Sequence, residues 1–214
     1  MNGMRLVGLT GGIATGKSTF AAALRALGAP VVDADELARR AVARGSPALL
    51  EIERAFGPGM VGPDGELDRK RMAARVFADP GARARLEAIV HPAVREAMRA
   101  EAERLAAAGH DLAFYEVPLL YEVGLEVKLE CVVVVHAPAE VQKRRLAVRD
   151  GFSDAEAQAR LDAQMPIDEK AARADVVVEN DGDLETLRAK AGPLLRDLRA
   201  GLSRRLPNRP PARY

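Results

Sequence analysis

A chain of 214 residues has room for one full domain with a large insertion, and 48% hydrophobic with 29% charged residues is a globular composition that needs no disulfide or metal to build a core. The 32 Lys and Arg against 31 Asp and Glu leave a formal charge of +1, which argues against a dedicated duplex binder, and 4% aromatics without Trp argue against base-stacking platforms for single strands. Lone Cys131 cannot pair within the chain, Met1 to Met4 lack the apolar run of a signal peptide, and no run approaches the ~20 apolar residues of a membrane span. A cytoplasmic protein without nucleic-acid or membrane partners is expected, as a monomer or weak homo-oligomer.

In chain order, Leu6 to Leu9 reads as a strand that ends in a glycine cluster, and Ser18 to Leu27 then shows helical spacing. Val31 and Val32 form a second strand that ends at Asp33 and Asp35, with helix from Glu36 to Ala43. Residues 45 to 110 read as a helical insertion. Ser46 caps a helix with Pro47 in its first turn and Leu49, Leu50, Ile52 and Phe56 on one side. Pro63-Asp64-Gly65 is a turn, Asp68 caps a helix with Met72, Val76 and Phe77 as apolar positions, Asp79-Pro80 starts another segment, and Pro92 starts a third that runs to Ala108. Leu112 to Val117, Cys131 to His136 and Val176 to Val178 are further strands. Their wide spacing excludes hairpins and implies crossover connections, hence an α/β fold with a mostly parallel sheet flanked by helices. Four of the 32 basic residues, Arg204, Arg205, Arg209 and Arg213, lie in residues 203 to 214, which leaves 28 against 31 acidic residues and a net of -3 elsewhere. That Pro-rich basic tail has little apolar surface to bury and reads as disordered.

Gly11-Gly12-Ile13-Ala14-Thr15-Gly16-Lys17-Ser18, followed by Thr19, satisfies the phosphate-loop pattern between a strand and a helix. Its glycines allow consecutive N–H groups to turn inward as an anion nest at a positive helix end, Lys17 adds a charge for the outer phosphates of ATP, and the Ser18 hydroxyl can ligate Mg²⁺. The Asn-Lys-x-Asp and Asp-x-x-Gly patterns of GTPases are absent from the sequence. Asp33 and Asp35 both fall at the carboxyl edge of the sheet, where one could orient an acceptor hydroxyl and the other cap a helix. Lys143, Arg144, Arg145 and Arg149 form a cationic cluster of the kind a mobile lid presents, with Arg149-Asp150-Gly151 as a hinge before a second polar helix, Asp154 to Gln164. His91, His110 and His136 share no metal-ligand spacing, and His91 before Pro92 reads first as a cap. A kinase for a small nucleotide-like acceptor and a regulatory ATPase without acceptor both fit these features.

The ordered motifs go further. Gly8-Leu9-Thr10-Gly11-Gly12-Ile13 with Gly16-Lys17-Ser18, Val32-Asp33-Ala34-Asp35, Asp64-Gly65-Glu66-Leu67-Asp68-Arg69, Leu86-Glu87-Ala88-Ile89-Val90-His91-Pro92, Val117-Pro118-Leu119-Leu120-Tyr121-Glu122, Arg149-Asp150-Gly151-Phe152-Ser153, Gln164 and Asn180 together resemble the dephospho-CoA kinase family over residues 5 to 200. Tyr121 replaces the family's usual Phe, and Met165-Pro166-Ile167 is less typical. The resemblance implies a P-loop kinase core at 1–44 and 111–202 with a lid near 142–166, a helical CoA domain at 45–110, and phosphorylation of the dephospho-CoA ribose 3′-hydroxyl by ATP and Mg²⁺. It further implies Asp35 as the catalytic carboxylate, Lys17 and the loop amides of Gly11 to Thr19 on ATP, and Arg149 as the lid arginine with Arg145 as second choice. It associates Arg69, His91 and the Pro118-Leu119-Leu120 turn with the acceptor.

Overall fold

The protein is described by a computed structural model over residues 4–201 and 211–214. The elements run β1 (Arg5–Gly11), α1 (Lys17–Ala26), β2 (Val31–Asp33), α2 (Ala34–Ala41), α3 (Pro47–Phe56), α4 (Arg69–Ala78), α5 (Pro80–Ala107) and β3 (Leu112–Glu116). They continue with β4 (Cys131–His136), α6 (Ala139–Asp150), α7 (Asp154–Asp162), α8 (Ile167–Arg173), β5 (Val176–Glu179), α9 (Leu184–Ala189), α10 (Ala191–Arg199) and β6 (Ala212–Arg213). Two compact units result, one of residues 1–32 and 108–214 and the other of 33–107.

The first unit holds the sheet, in the order β2-β3-β1-β4-β5-β6. β1 pairs in parallel with β3 on one side and β4 on the other, and β5 and β6 extend the sheet in parallel beyond β4. Every expected strand is present. β4 explains why they were recognisable: Val132 to Val135 are buried without an alternating polar face, the pattern of a strand covered on both sides. Phe20, Leu24, Leu194 and Leu198 from α1 and α10 pack with Val7, Leu9, Val133 and Val176 in the main core.

The second unit closes on its own core of Val42, Ala48, Ile52, Met72 and Ile89. It begins at Asp33, ahead of the expected 45, because α2 packs within it against α5. The capping expectations for its shorter helices hold: the Ser46 Oγ accepts from Leu49 N at 3.1 Å and the Asp68 carboxylate from Arg71 N at 2.8 Å. Three details differ from expectation. Pro92 does not start a helix but lies inside α5, so His91 is an exposed mid-helix residue and no cap. Leu50 and Phe77 point to solvent, at 47% and 94% exposure, leaving Leu49 and Met72 to face the core.

The expected disordered tail is also corrected at its end. Residues 203–210 lie outside the described residues, but Ala212 and Arg213 form β6 and pair with Val176 and Val177. Tyr214 packs against the main core, an apolar contact the basic composition concealed. Among the described residues no helix is long and apolar enough to cross a membrane.

Candidate active site

The phosphate loop joins β1 to α1 as expected. Gly16 is the N-cap of α1 with φ 92°, and a Cβ there would stand 2.3 Å from the Asn180 amide nitrogen, so only glycine fits. Ala14 also adopts the left-handed region, at φ 58°, an unfavourable state for a residue with a Cβ that the surroundings hold in place. Thr15 Oγ1 donates to Gly12 O at 2.9 Å, Asn180 Nδ2 donates to Thr15 O at 2.6 Å, and Arg145 reaches Ala14 O at 3.3 Å. These bonds occupy loop carbonyls from behind. Two of the loop N–H groups are themselves engaged, Ile13 N–H donating to the Gln164 side chain at 3.0 Å and Thr15 N–H to Gly12 O at 3.3 Å.

Lys17, the first residue of α1, is paired with Glu116 at 2.5 Å, and Arg25 reaches the other oxygen of the same carboxylate at 3.3 Å. Glu116 is 4% exposed at the end of β3, so one buried carboxylate is balanced by two cations. It is absent from the expected site residues. The signal that marks it is a lone acid closing an otherwise apolar strand run.

The two arginines of the cluster take different places. Arg145 donates to Asn180 O at 3.1 Å, Asn180 Oδ1 at 3.2 Å and Gly182 O at 3.2 Å as well as to Ala14, and burial, followed by the neighbouring Arg144 charge, holds its guanidinium below the ordinary value. Arg149 is 62% exposed in its side chain and, among the described residues, pairs only with adjacent Asp150 at 2.7 Å, which raises it. Gly151 ends α6 at φ 71° and a Ser153–Glu156 capping box opens α7, so the expected hinge is a break between two capped helices. Both arginines, with Arg144, Ala14, Gly16, Val148 and Leu184, line a cavity of about 460 Å³ beside the loop.

Ser18 is exposed, and its hydroxyl has no partner among the described residues. Pro118 O accepts from Thr10 Oγ1 at 3.2 Å and from Lys170 Nζ at 3.0 Å; beyond it Leu119 is 42% exposed and Leu120 is buried.

The remaining expected residues belong to the second unit: Asp35 in the first turn of α2, Arg69 at the start of α4 and His91 in α5, all exposed. No hydrogen bond or ion pair engages the side chains of these three among the described residues. Asp33 is the cap, accepting from Asp35 N at 2.8 Å and Glu36 N at 3.0 Å. Capping therefore engages Asp33 through Oδ1 and leaves the Asp35 carboxylate available.

The dephospho-CoA kinase family profile matches residues 5–186. A dephospho-CoA kinase from Anaeromyxobacter dehalogenans is 70% identical over 99% of this chain and all of its own, and one from Symbiobacterium thermophilum is 50% identical over 87% of this chain and 78% of its own. Among solved structures, one from Thermus thermophilus shares 44% identity over 91% of this chain and 97% of its own with a TM-score of 0.76. The dephospho-CoA kinase from Campylobacter jejuni shares 29% identity over 92% of this chain and 98% of its own with a TM-score of 0.71. With a phosphate loop on a parallel sheet and these matches along nearly its whole length, the chain belongs to the dephospho-CoA kinase family.

Proposed function

We propose that this kinase transfers the γ-phosphoryl group of ATP to the ribose 3′-hydroxyl of dephospho-CoA, giving coenzyme A and ADP in the last step of coenzyme A biosynthesis. The observation that carries the reading is the loop built on left-handed Ala14 and Gly16, with Lys17 poised on Glu116 beside it, in a chain matched by the family profile over 5–186.

Amides of the Gly11 to Thr19 loop bind the phosphates as a nest at the start of α1. Lys17 turns from Glu116 to the outer phosphates, and Arg25 keeps the buried Glu116 charge compensated while it does so. The exposed Ser18 hydroxyl would hold Mg²⁺. This suits an ion of the kind that needs only one or two protein oxygens beside substrate phosphates. Held there, the ion would neutralise charge that develops on the phosphate oxygens.

The second unit serves the acceptor, with Arg69 and His91 as binding groups. Asp35 orients the 3′-hydroxyl and accepts its proton, an effect worth roughly 10²- to 10⁴-fold. Arg149 leaves Asp150 for the transferring group as the lid at about 142–166 closes, which excludes water and suppresses ATP hydrolysis. Arg145 holds the loop in shape.

An acceptor panel incubated with ATP and read by mass spectrometry tests the reaction. The expected product is dephospho-CoA gaining one phosphoryl group at the 3′ position. Phosphorylation of a nucleoside monophosphate in its place, or ATP turnover indifferent to acceptor, would overturn the reading.

A further inference from the structure

Lys170 of α8 is fully buried and has no part in the phosphate chemistry. A buried ammonium costs several kcal/mol unless it is paired and hydrogen-bonded, and an apolar side chain of similar length would fill the space as well. Its partners show where that cost is directed. Nζ donates to Pro118 O at 3.0 Å and to the Glu122 carboxylate at 2.8 Å, so it grips both ends of the segment that contains Leu119 and Leu120. The Pro118 carbonyl already accepts from Thr10 Oγ1 at 3.2 Å, so two donors converge on one oxygen and fix the direction of that peptide. The grip extends to the loop. Glu122 also accepts from Met165 N at 3.0 Å, and the preceding Gln164 takes the Ile13 N–H at 3.0 Å. Burial alone would raise the Glu122 carboxyl, but the Lys170 ammonium and Met165 N–H outweigh it and hold the group below its ordinary value.

We propose that Lys170 is a positioning residue that sets the Pro118-Leu119-Leu120 turn for the acceptor, an inference that rests on the proposed reaction and on the acceptor role that the family resemblance gives that turn. Thr10, at the end of β1, binds the turn to the strand that carries the phosphate loop, and Lys170 supplies the second fixed point from α8. With only one of the two, the Pro118–Leu119 peptide can rotate and carry the exposed Leu119 side chain with it.

The test compares steady-state kinetics of wild type, Lys170→Met, the Lys170→Met/Glu122→Gln pair and Leu119→Ala, with melting temperatures alongside. The paired variant leaves no buried charge unmatched and keeps an acceptor for Met165 N–H, so it reports on the grip even if Lys170→Met does not fold. The expected result for the pair is a KM for dephospho-CoA raised about tenfold or more with the KM for ATP within about threefold of wild type, since small misplacement of a docking surface penalises that substrate selectively. A parallel rise in both constants with a fallen melting temperature would make Lys170 a structural residue only and overturn the inference. If Leu119→Ala raises the acceptor KM and the pair does not, the turn keeps its acceptor role and Lys170 loses its own. If neither variant moves the acceptor KM, the acceptor role of the turn fails and the inference falls with it.

Discussion

Asp33 and Asp35 carry the same side chain two residues apart, and hydrogen bonding separates them. Two backbone N–H groups at the start of α2 donate to Oδ1 of Asp33 and fix it as the cap, while the Asp35 side chain projects from the first turn without a partner among the described residues. Asp35→Asn is expected to lower single-turnover phosphoryl transfer by roughly 10²-fold or more while leaving the affinity for a non-hydrolysable ATP analogue unchanged. Asp33→Ala should instead cost about 1 kcal/mol of stability through the lost cap, read in a denaturant titration. Interchanged phenotypes would reverse the assignment. The arginines divide in a similar way. Arg145 is committed to four oxygens around the loop, so Arg145→Met should weaken ATP-analogue binding, whereas exposed Arg149→Met should lower kcat with that binding intact. Equal effects on binding from both substitutions would contradict this division.

At the scale of elements, Pro92 separates what local sequence reveals from what packing decides. Proline in the first turn of a helix and proline inside one look alike in sequence, since both follow a helix-compatible residue. In α5 the missing N–H leaves the Ala88 carbonyl without its helical partner, a break of about 3 kcal/mol or more that the packing of Ile89 and Val90 into the second core offsets. Pro92→Ala is expected to raise the melting temperature and the helical circular dichroism. A lower melting temperature would mean that the break is required for that packing. By contrast, the strands were legible because β4 and β5 are continuous apolar runs, and Ser46 and Asp68 were legible as caps because their bonds close within three residues. The phosphate loop was legible for the same reason of locality. Glu116 and Lys170 were not, because each has its meaning from partners many tens of residues away.

For the whole molecule, the near-neutral total conceals a basic end whose last residues are structural. β5 would be an exposed sheet edge, but Ala212 N donates to Asp175 O and Tyr214 N to Val177 O, both at 3.1 Å, and Glu179 N donates back to Tyr214 O at 3.0 Å. Arg213 pairs with Glu179, and the Tyr214 hydroxyl donates to Asp197 of α10, which ties the strand to both edge and helix. Burial first, and then the Asp197 carboxylate, push the Tyr214 phenol up from 10.0 to about 12. A raised phenol means that the folded state favours the protonated form, so the stabilisation is complete below pH 10 and fades as the pH rises toward 12. Tyr214→Phe removes the titrating group and its hydrogen bond together. The melting temperature of wild type should therefore exceed that of Tyr214→Phe from pH 7 to about pH 9, and the gap should narrow between pH 10 and 12 as the wild-type phenol ionises against Asp197. A gap that stays constant across that range would show that the hydroxyl is not held by Asp197 and that β6 is retained by its backbone pairing and Arg213 alone.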